Sequence, residues 1–427
     1  MTDKSPLSAR LARAAARFGA NLPFASLNTA RVAAKTVTPD MLKRILLPTV
    51  RETEEEIERR QWQDRGQHLA RQEDWDRLSR AIHAADSERV RTEGGESAAL
   101  LLAYGARGDV VTVVEDALYE GVEPSDEGIA ALEAILRQNP DSYACALVVA
   151  LAHLDIGWAW RMLGQTSPLR GLSDDKQAAH FGRAEDILHR FDGFTLDAPT
   201  LAAANCGMLA ARPGPRARVA DDYEDLIDLD PGCARHMRGL GIALLPANFG
   251  TYAALEREAD RTARRIADVW GAGGYTWVWA DALVADPEAA AYLDPDRFIA
   301  GMGDILERMD TQHMVNLFAA FTALHMSDAA PTLPAGGVSP RAAQNRAHLH
   351  ACLDWLLRDH LHELHPLLWA QAALAPTRQK PLPPRKVLQD KGRDIALTAI
   401  AEHYAEEIRD GSTIAFSPAG MYQLSTL

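Results

Sequence analysis

At 427 residues the chain is too long for one compact core, so it must form several domains or an extended array. Hydrophobic residues at 47% and charged residues at 24% are ordinary for a folded chain and exclude global disorder. The formal charge of -14 repels a phosphate backbone, which disfavours nucleic acid as a partner unless a basic patch is gathered locally.

The first 38 residues form a basic arm, with Lys4, Arg10, Arg13, Arg17, Arg31 and Lys35 against the single acid Asp3. Leu7, Leu11 and Phe18 fall near one helical face, opposite Arg10, Arg13 and Arg17. That pattern suits a short amphipathic helix touching a membrane, or a flexible basic tail docking on the acidic body. At Thr38–Pro39–Asp40 a helix start is written out in full. The threonine caps free amides, proline suits the first helical position, and the acid complements the positive end of the dipole. Pro48 is expected to interrupt this helix after Leu47. Glu55–Arg59 and Glu56–Arg60 then mark a charged, solvated helix.

From Ser97 to Leu163 the pattern predicts successive helices with short turns, at Gly108–Asp109, Gly121 and Asn139–Pro140–Asp141. Further helices are expected near 174–190, 200–211, 217–229, 233–245 and 251–269, with Arg212–Pro213–Gly214–Pro215 as a loop. A helical block over 273–326 includes a helix capped by Asp310, and 327–338 reads as a linker. Ser339–Pro340 opens a long helix that Pro366 stops, the Pro-rich stretch 376–384 is a linker, and a last helix covers about 387–409. From Gly411 the chain is irregular or briefly extended. Alternating strand patterns are scarce throughout, so the fold is expected to be all-α.

None of Cys145, Cys206, Cys233 and Cys352 belongs to a C-x-x-C pair, and most sit in apolar helical stretches. They read as buried free thiols in a reducing compartment. No run of eighteen apolar residues and no secretory leader pattern is found, so the cytoplasm is the expected location. Arginine far outnumbers lysine, a bias of GC-rich bacterial genomes.

Short helical hairpins cannot bury their apolar faces alone, so they stack at a fixed period. Gly207 and Gly241 are 34 residues apart, each in a small-residue helix, with Tyr223 and the Leu229–Asp230–Pro231 ending between them. Over about 200–233 this resembles a degenerate tetratricopeptide repeat. Asn139–Pro140 with the following helix, and the turn from Tyr104 to Asp109, resemble the same family. The resemblance implies an irregular α-solenoid of stacked hairpins over 39–270, followed by a C-terminal helical region over 271–427. It also implies a groove that binds a protein or peptide, making the chain a non-catalytic adaptor or scaffold without a cofactor. Groove-facing positions carried over from the repeat are Arg235, Arg238 and Ile242 in one unit, and Ala144, Leu147 and Leu151 upstream. The arginine pair suits an acidic or C-terminal carboxylate. The window 97–138 also looks faintly like a pentatricopeptide unit, a class that reads single-stranded RNA, though only one unit is seen.

The rival reading is a metal-dependent enzyme with a site near 348–365. On a helix Asp359 and His362 share a face, with His348 on nearly the same stripe, as ligands of zinc or iron would. The plainer reading of these residues is a polar helix face. Arg378 to Lys386 contains a PxxP pattern, read as a stiff linker before a polyproline ligand. The acidic run Asp221, Asp222, Glu224, Asp225, Asp228 and Asp230 lacks a calcium-loop ending and reads as a solvated face. Trp158, Trp160, Trp277 and Trp279 read as fillers between helices.

Overall fold

The structure is a computed structural model describing residues 37–164, 167–211, 218–374 and 383–424 in full, and the backbone of 25–27 and 375–376. Helix accounts for 70% and strand for 5%, so the chain is all-α as expected. Most of the basic arm, including Leu7–Phe18, lies outside the described residues, as do 377–382 of the Pro-rich run and 212–217, where a loop was expected.

Strand β1 (Ala25–Leu27) precedes a one-turn helix α1 (Pro39–Leu42) and strand β2 (Ile45–Leu46). The α1 start is as the sequence predicts, for the Thr38 hydroxyl accepts the Met41 amide at 3.4 Å and Pro39 opens the helix. It does not run to Leu47. Ile45 and Leu46 instead extend and pair in parallel with Ile414 and Ala415, a partner far along the chain that local propensity cannot foresee.

Helices α2 (Glu54–Arg71) and α3 (Trp75–Ser87) lead to α4 (Ala98–Glu120), which is continuous through Gly108–Asp109 where a turn was expected. Two facts explain the continuity. A Cβ on Gly66 would overlap the Leu102 backbone, and one on Gly105 the Gln63 backbone, so these glycines let α2 and α4 cross closely. The Asp109 carboxylate, which the sequence offers as a turn cap, is held instead by Arg71 at 2.6 Å and Gln67 at 2.8 Å. Gly121, at φ 74°, ends α4 in the left-handed region.

Then follow α5 (Glu127–Gln138), α6 (Tyr143–Leu163), α7 (Arg170–Leu188) and α8 (Pro199–Met208) with a 3-10 turn, Leu209–Ala211. Next come α9 (Val219–Leu229) and α10 (Ala234–Ala243). Capped by Ser142, α6 is touched by α3, α4, α5, α7 and α8. Its length and apolarity would suffice to cross a membrane, but 89% of that apolar window is buried within the protein.

Helices α11 (Tyr252–Arg265), α12 (Ala267–Trp270), α13 (Gly273–Ala285), α14 (Pro295–Arg308) and α15 (Gln312–Ala320) come next. Thr311, one residue beyond the expected Asp310, caps α15. Two segments widen into single π-turns, Phe321–His325 after α15 and Leu356–His360 after α16 (Pro340–Ala351) and α17 (Leu353–Trp355). Pro366 does not stop a helix. It starts α18 (Pro366–Ala372), because its fixed φ and missing amide suit the first position. Strand β3 (Leu374–Pro376), α19 (Arg385–His403), α20 (Ala405–Arg409) and the hairpin β4 (Thr413–Ser417) with β5 (Gly420–Leu424) complete the chain. β1 pairs antiparallel with β3, and β2, β4 and β5 form a second sheet in that order.

The chain forms two compact units, Glu55–His236 and the flanking segments Met1–Glu54 with Met237–Leu427. The glycines 34 residues apart differ in role. A Cβ on Gly241 would overlap the Val278 backbone of α13, whereas nothing lies within 4 Å of one on Gly207.

Candidate functional site

The expected groove positions are occupied from within. Ala144, Leu147 and Leu151 are buried on α6 beneath its five neighbours, so their side chains line the core rather than a surface. Ile242 is buried as well. Arg235 is paired with Glu96 at 2.8 Å, and Arg238 with Asp281 at 2.8 Å. The His-rich stretch does not converge either. His348 faces Asp296 at 3.6 Å, the His362 amide donates to Gln312, and Asp359 is exposed in a π-turn. Among the described residues, the cluster able to hold a metal ion lies elsewhere: Asp230, Cys233 and His236 bring three ligand atoms within 4.8 Å of one another.

That cluster grows out of the turn between α9 and α10. The Cys233 amide donates to the Asp230 carbonyl at 3.2 Å, and the His236 amide to the Cys233 carbonyl at 3.1 Å, so the chain wraps tightly and turns all three side chains inward. Asp230 and His236 are each 4% exposed and Cys233 is 1% exposed. Asp230 is therefore not part of a solvated acidic face. Its Oδ1 accepts from Arg91, and its Oδ2 lies 3.5 Å from His236 Nε2, which has no hydrogen-bond partner. The Arg91 guanidinium occupies the space a Cβ on Gly232 would need, with Nη1 at 2.9 Å.

Burial alone would drive the His236 proton off, yet Cys233 and Asp230 outweigh it and hold the imidazole charged, with its pKa pushed up to about 9. For Asp230, burial acts the other way, and His236 and Arg91 keep its carboxyl below the usual range. With so little exposure, this group is placed for ion pairing or for holding an ion rather than for meeting a substrate.

Around it the loop Arg91–Ser97 ties distant helices together. Thr92 and Glu96 bond across the loop at 3.0 Å, and Gly95 sits at φ 84°. On one side Glu55 on α2 accepts the Gly94 amide at 2.6 Å, and Arg59 reaches Glu96 at 3.3 Å. On the other, Cys233 Sγ points at the Gly95 carbonyl oxygen at 4.0 Å. Burial pushes the Glu55 carboxyl up to about 7 despite Arg59 beside it.

Two further histidine groups are internal. Glu133 takes Arg183 at 2.6 Å and His153 Nε2 at 3.0 Å, while His153 Nδ1 meets His180 Nδ1 at 2.9 Å. Arg183 keeps the Glu133 carboxyl low, so it only accepts; His153 donates from Nε2 and accepts at Nδ1, and His180 donates from Nδ1. Burial lowers both imidazoles, His180 to about 4. Elsewhere Arg346, 2% exposed, donates to the carbonyls of His325 and Ser327, while His325 Nδ1 has no partner.

All four cysteines are free and buried, and Trp160, Trp277 and Trp279 fill the interior, as the sequence suggests. The Asp230–Cys233–His236 group escapes a motif search because it is one residue of each kind. Its signal is the D-x-x-C-x-x-H spacing across a helix start. In contrast to these buried ions, Tyr119 and Val122, each 57% exposed, flank Gly121, and a Cβ there would meet the Pro168 ring at 3.1 Å. Leu172, four residues past Pro168, is exposed too. No family model, curated protein or solved structure matches this all-α chain.

Proposed function

We propose that the protein is a non-catalytic helical scaffold that binds a protein or peptide partner, and that the end of α4 is its contact surface. The observation that carries this reading is the exposure of Tyr119 and Val122 on either side of Gly121, where α4 ends against the Pro168 ring, within the unit Glu55–His236. A tyrosine beside aliphatic side chains gives large contact area at small cost in side-chain entropy. Sequential helix pairs such as α8 with α9 and α13 with α14 support a hairpin-based, tetratricopeptide-like organisation. The groove inferred from the repeat is set aside as a contact surface, since its arginines serve Glu96 and Asp281.

The partner co-purifying from the native host, once identified and purified, is expected to bind a Tyr119→Glu/Val122→Glu double variant about tenfold more weakly or worse. The thermal midpoint should be unchanged, because both side chains are exposed. Equal affinity for the variant and the parent chain rules out this surface.

A further inference from the structure

The turn from Asp230 to His236 assembles three donors of different hardness at one point: a carboxylate, a thiol and an imidazole. We infer that Asp230, Cys233 and His236 form a binding site for a divalent transition-metal ion of the zinc class. This inference is independent of the scaffold reading.

Three observations carry it. The buried His236 ring nitrogen nearest the cluster has no hydrogen-bond partner and only a loose ion pair with Asp230 Oδ2, so it remains available to a coordinate bond. Its distance of 3.5 Å from Asp230 Oδ2 is too long for a hydrogen bond and ordinary for two ligands sharing one ion. Finally, Asp230 uses only one oxygen on Arg91, leaving the other directed at His236. Arg91 thus takes the place of the outer partner that holds a ligating carboxylate in one orientation.

The donor set decides the class of ion. A thiolate and an imidazole do not suit calcium or magnesium, which take oxygen ligands. One sulfur, one nitrogen and one oxygen suit zinc or cobalt, with three protein ligands and one further position. Gly232 matters to the geometry because the Arg91 guanidinium fills the place of its missing side chain. An ion here would also fasten the α9–α10 turn beside the Arg91–Ser97 loop, where Cys233 Sγ already faces the Gly95 carbonyl.

The test uses the full chain, stripped with a chelator and titrated with Co(II). The expected result is one Co(II) per chain, with a near-ultraviolet thiolate-to-cobalt charge-transfer band that Zn(II) abolishes by displacement. The band should be lost in Cys233→Ser and retained in Cys206→Ser, a second buried cysteine, while His236→Gln weakens Co(II) binding by at least about tenfold. If Cys233→Ser fails to fold, the parent chain still decides, since Zn(II) should raise its thermal midpoint and a chelator should reverse the rise. Absence of the band at saturating Co(II), its survival in a folded Cys233→Ser, or a thermal midpoint indifferent to Zn(II) each overturns the assignment.

Discussion

His236 and His325 are buried almost equally, yet the two compact units hold them in opposite states. Within Glu55–His236, the imidazole of His236 sits against Cys233 and Asp230 and keeps its proton to about pH 9. In the other unit, burial and then the Arg346 charge drive the proton from His325 until about pH 4. Depth alone therefore decides nothing about charge. What differs is the neighbour of each ring: Cys233 and then Asp230 oppose desolvation at His236, whereas Arg346 reinforces it at His325.

The sharpest way to break this contrast is Asp230→Asn in the metal-free chain. It leaves Arg91 and His236 without their carboxylate, and removing one member of a buried pair costs about 3–5 kcal/mol. Urea unfolding should show that loss, and the His236 imidazole, followed by NMR, should titrate below about 9, with Cys233 still holding part of the rise. A His236 pKa that stays near 9 would show that Asp230 is not its cause. A second test reads both units at once. Because the folded pKa of His236 is raised, its contribution is complete below pH 6.5 and is lost as pH climbs through 9, about 3 kcal/mol in all. His325 has a depressed folded pKa, so its contribution is complete above pH 6.5 and disappears as pH falls through 4, by a similar amount. Amide exchange should therefore lose protection in α10 toward alkaline pH and in α15 toward acid; parallel profiles would refute the contrast. The smallest effect is a control away from both histidines. Gly108→Ala, with nothing within 4 Å of the added carbon, should stabilise α4 by about 0.5–1 kcal/mol without moving either titration.

That control also shows where local reading fails. Gly108–Asp109 has the composition of a turn, and the helix persists because Asp109 is engaged by Arg71 and Gln67 from another helix. Thr38 with Pro39, and the limits of α8 to α11, were legible to within a few residues because caps and breakers act over one turn. Pro366 was ambiguous in principle, since proline both ends one helix and begins the next. A brief extension after Gly411 was legible, but the pairing was not, for nothing near Ile45 reveals Ile414 as its partner. The buried cluster was hidden for a related reason. Asp230 closes an acidic run that looks solvated, and only the tertiary fold brings Arg91 to it. Arg235 and Arg238 were read as groove-facing cations for a partner carboxylate, but a sequence cannot say whether a cation is paired internally, as these are with Glu96 and Asp281.

The pairing of β2 with β4 has a consequence for synthesis. Ile45 leaves the ribosome hundreds of residues before Ile414, so its strand must wait unpaired while nearly the whole chain is made. The segment Glu55–His236 is contiguous and can close early, whereas the unit that surrounds it in the sequence can be finished only once the strand around Ile414 has emerged. Translation thus imposes an order of assembly, inner segment first and the discontinuous unit last.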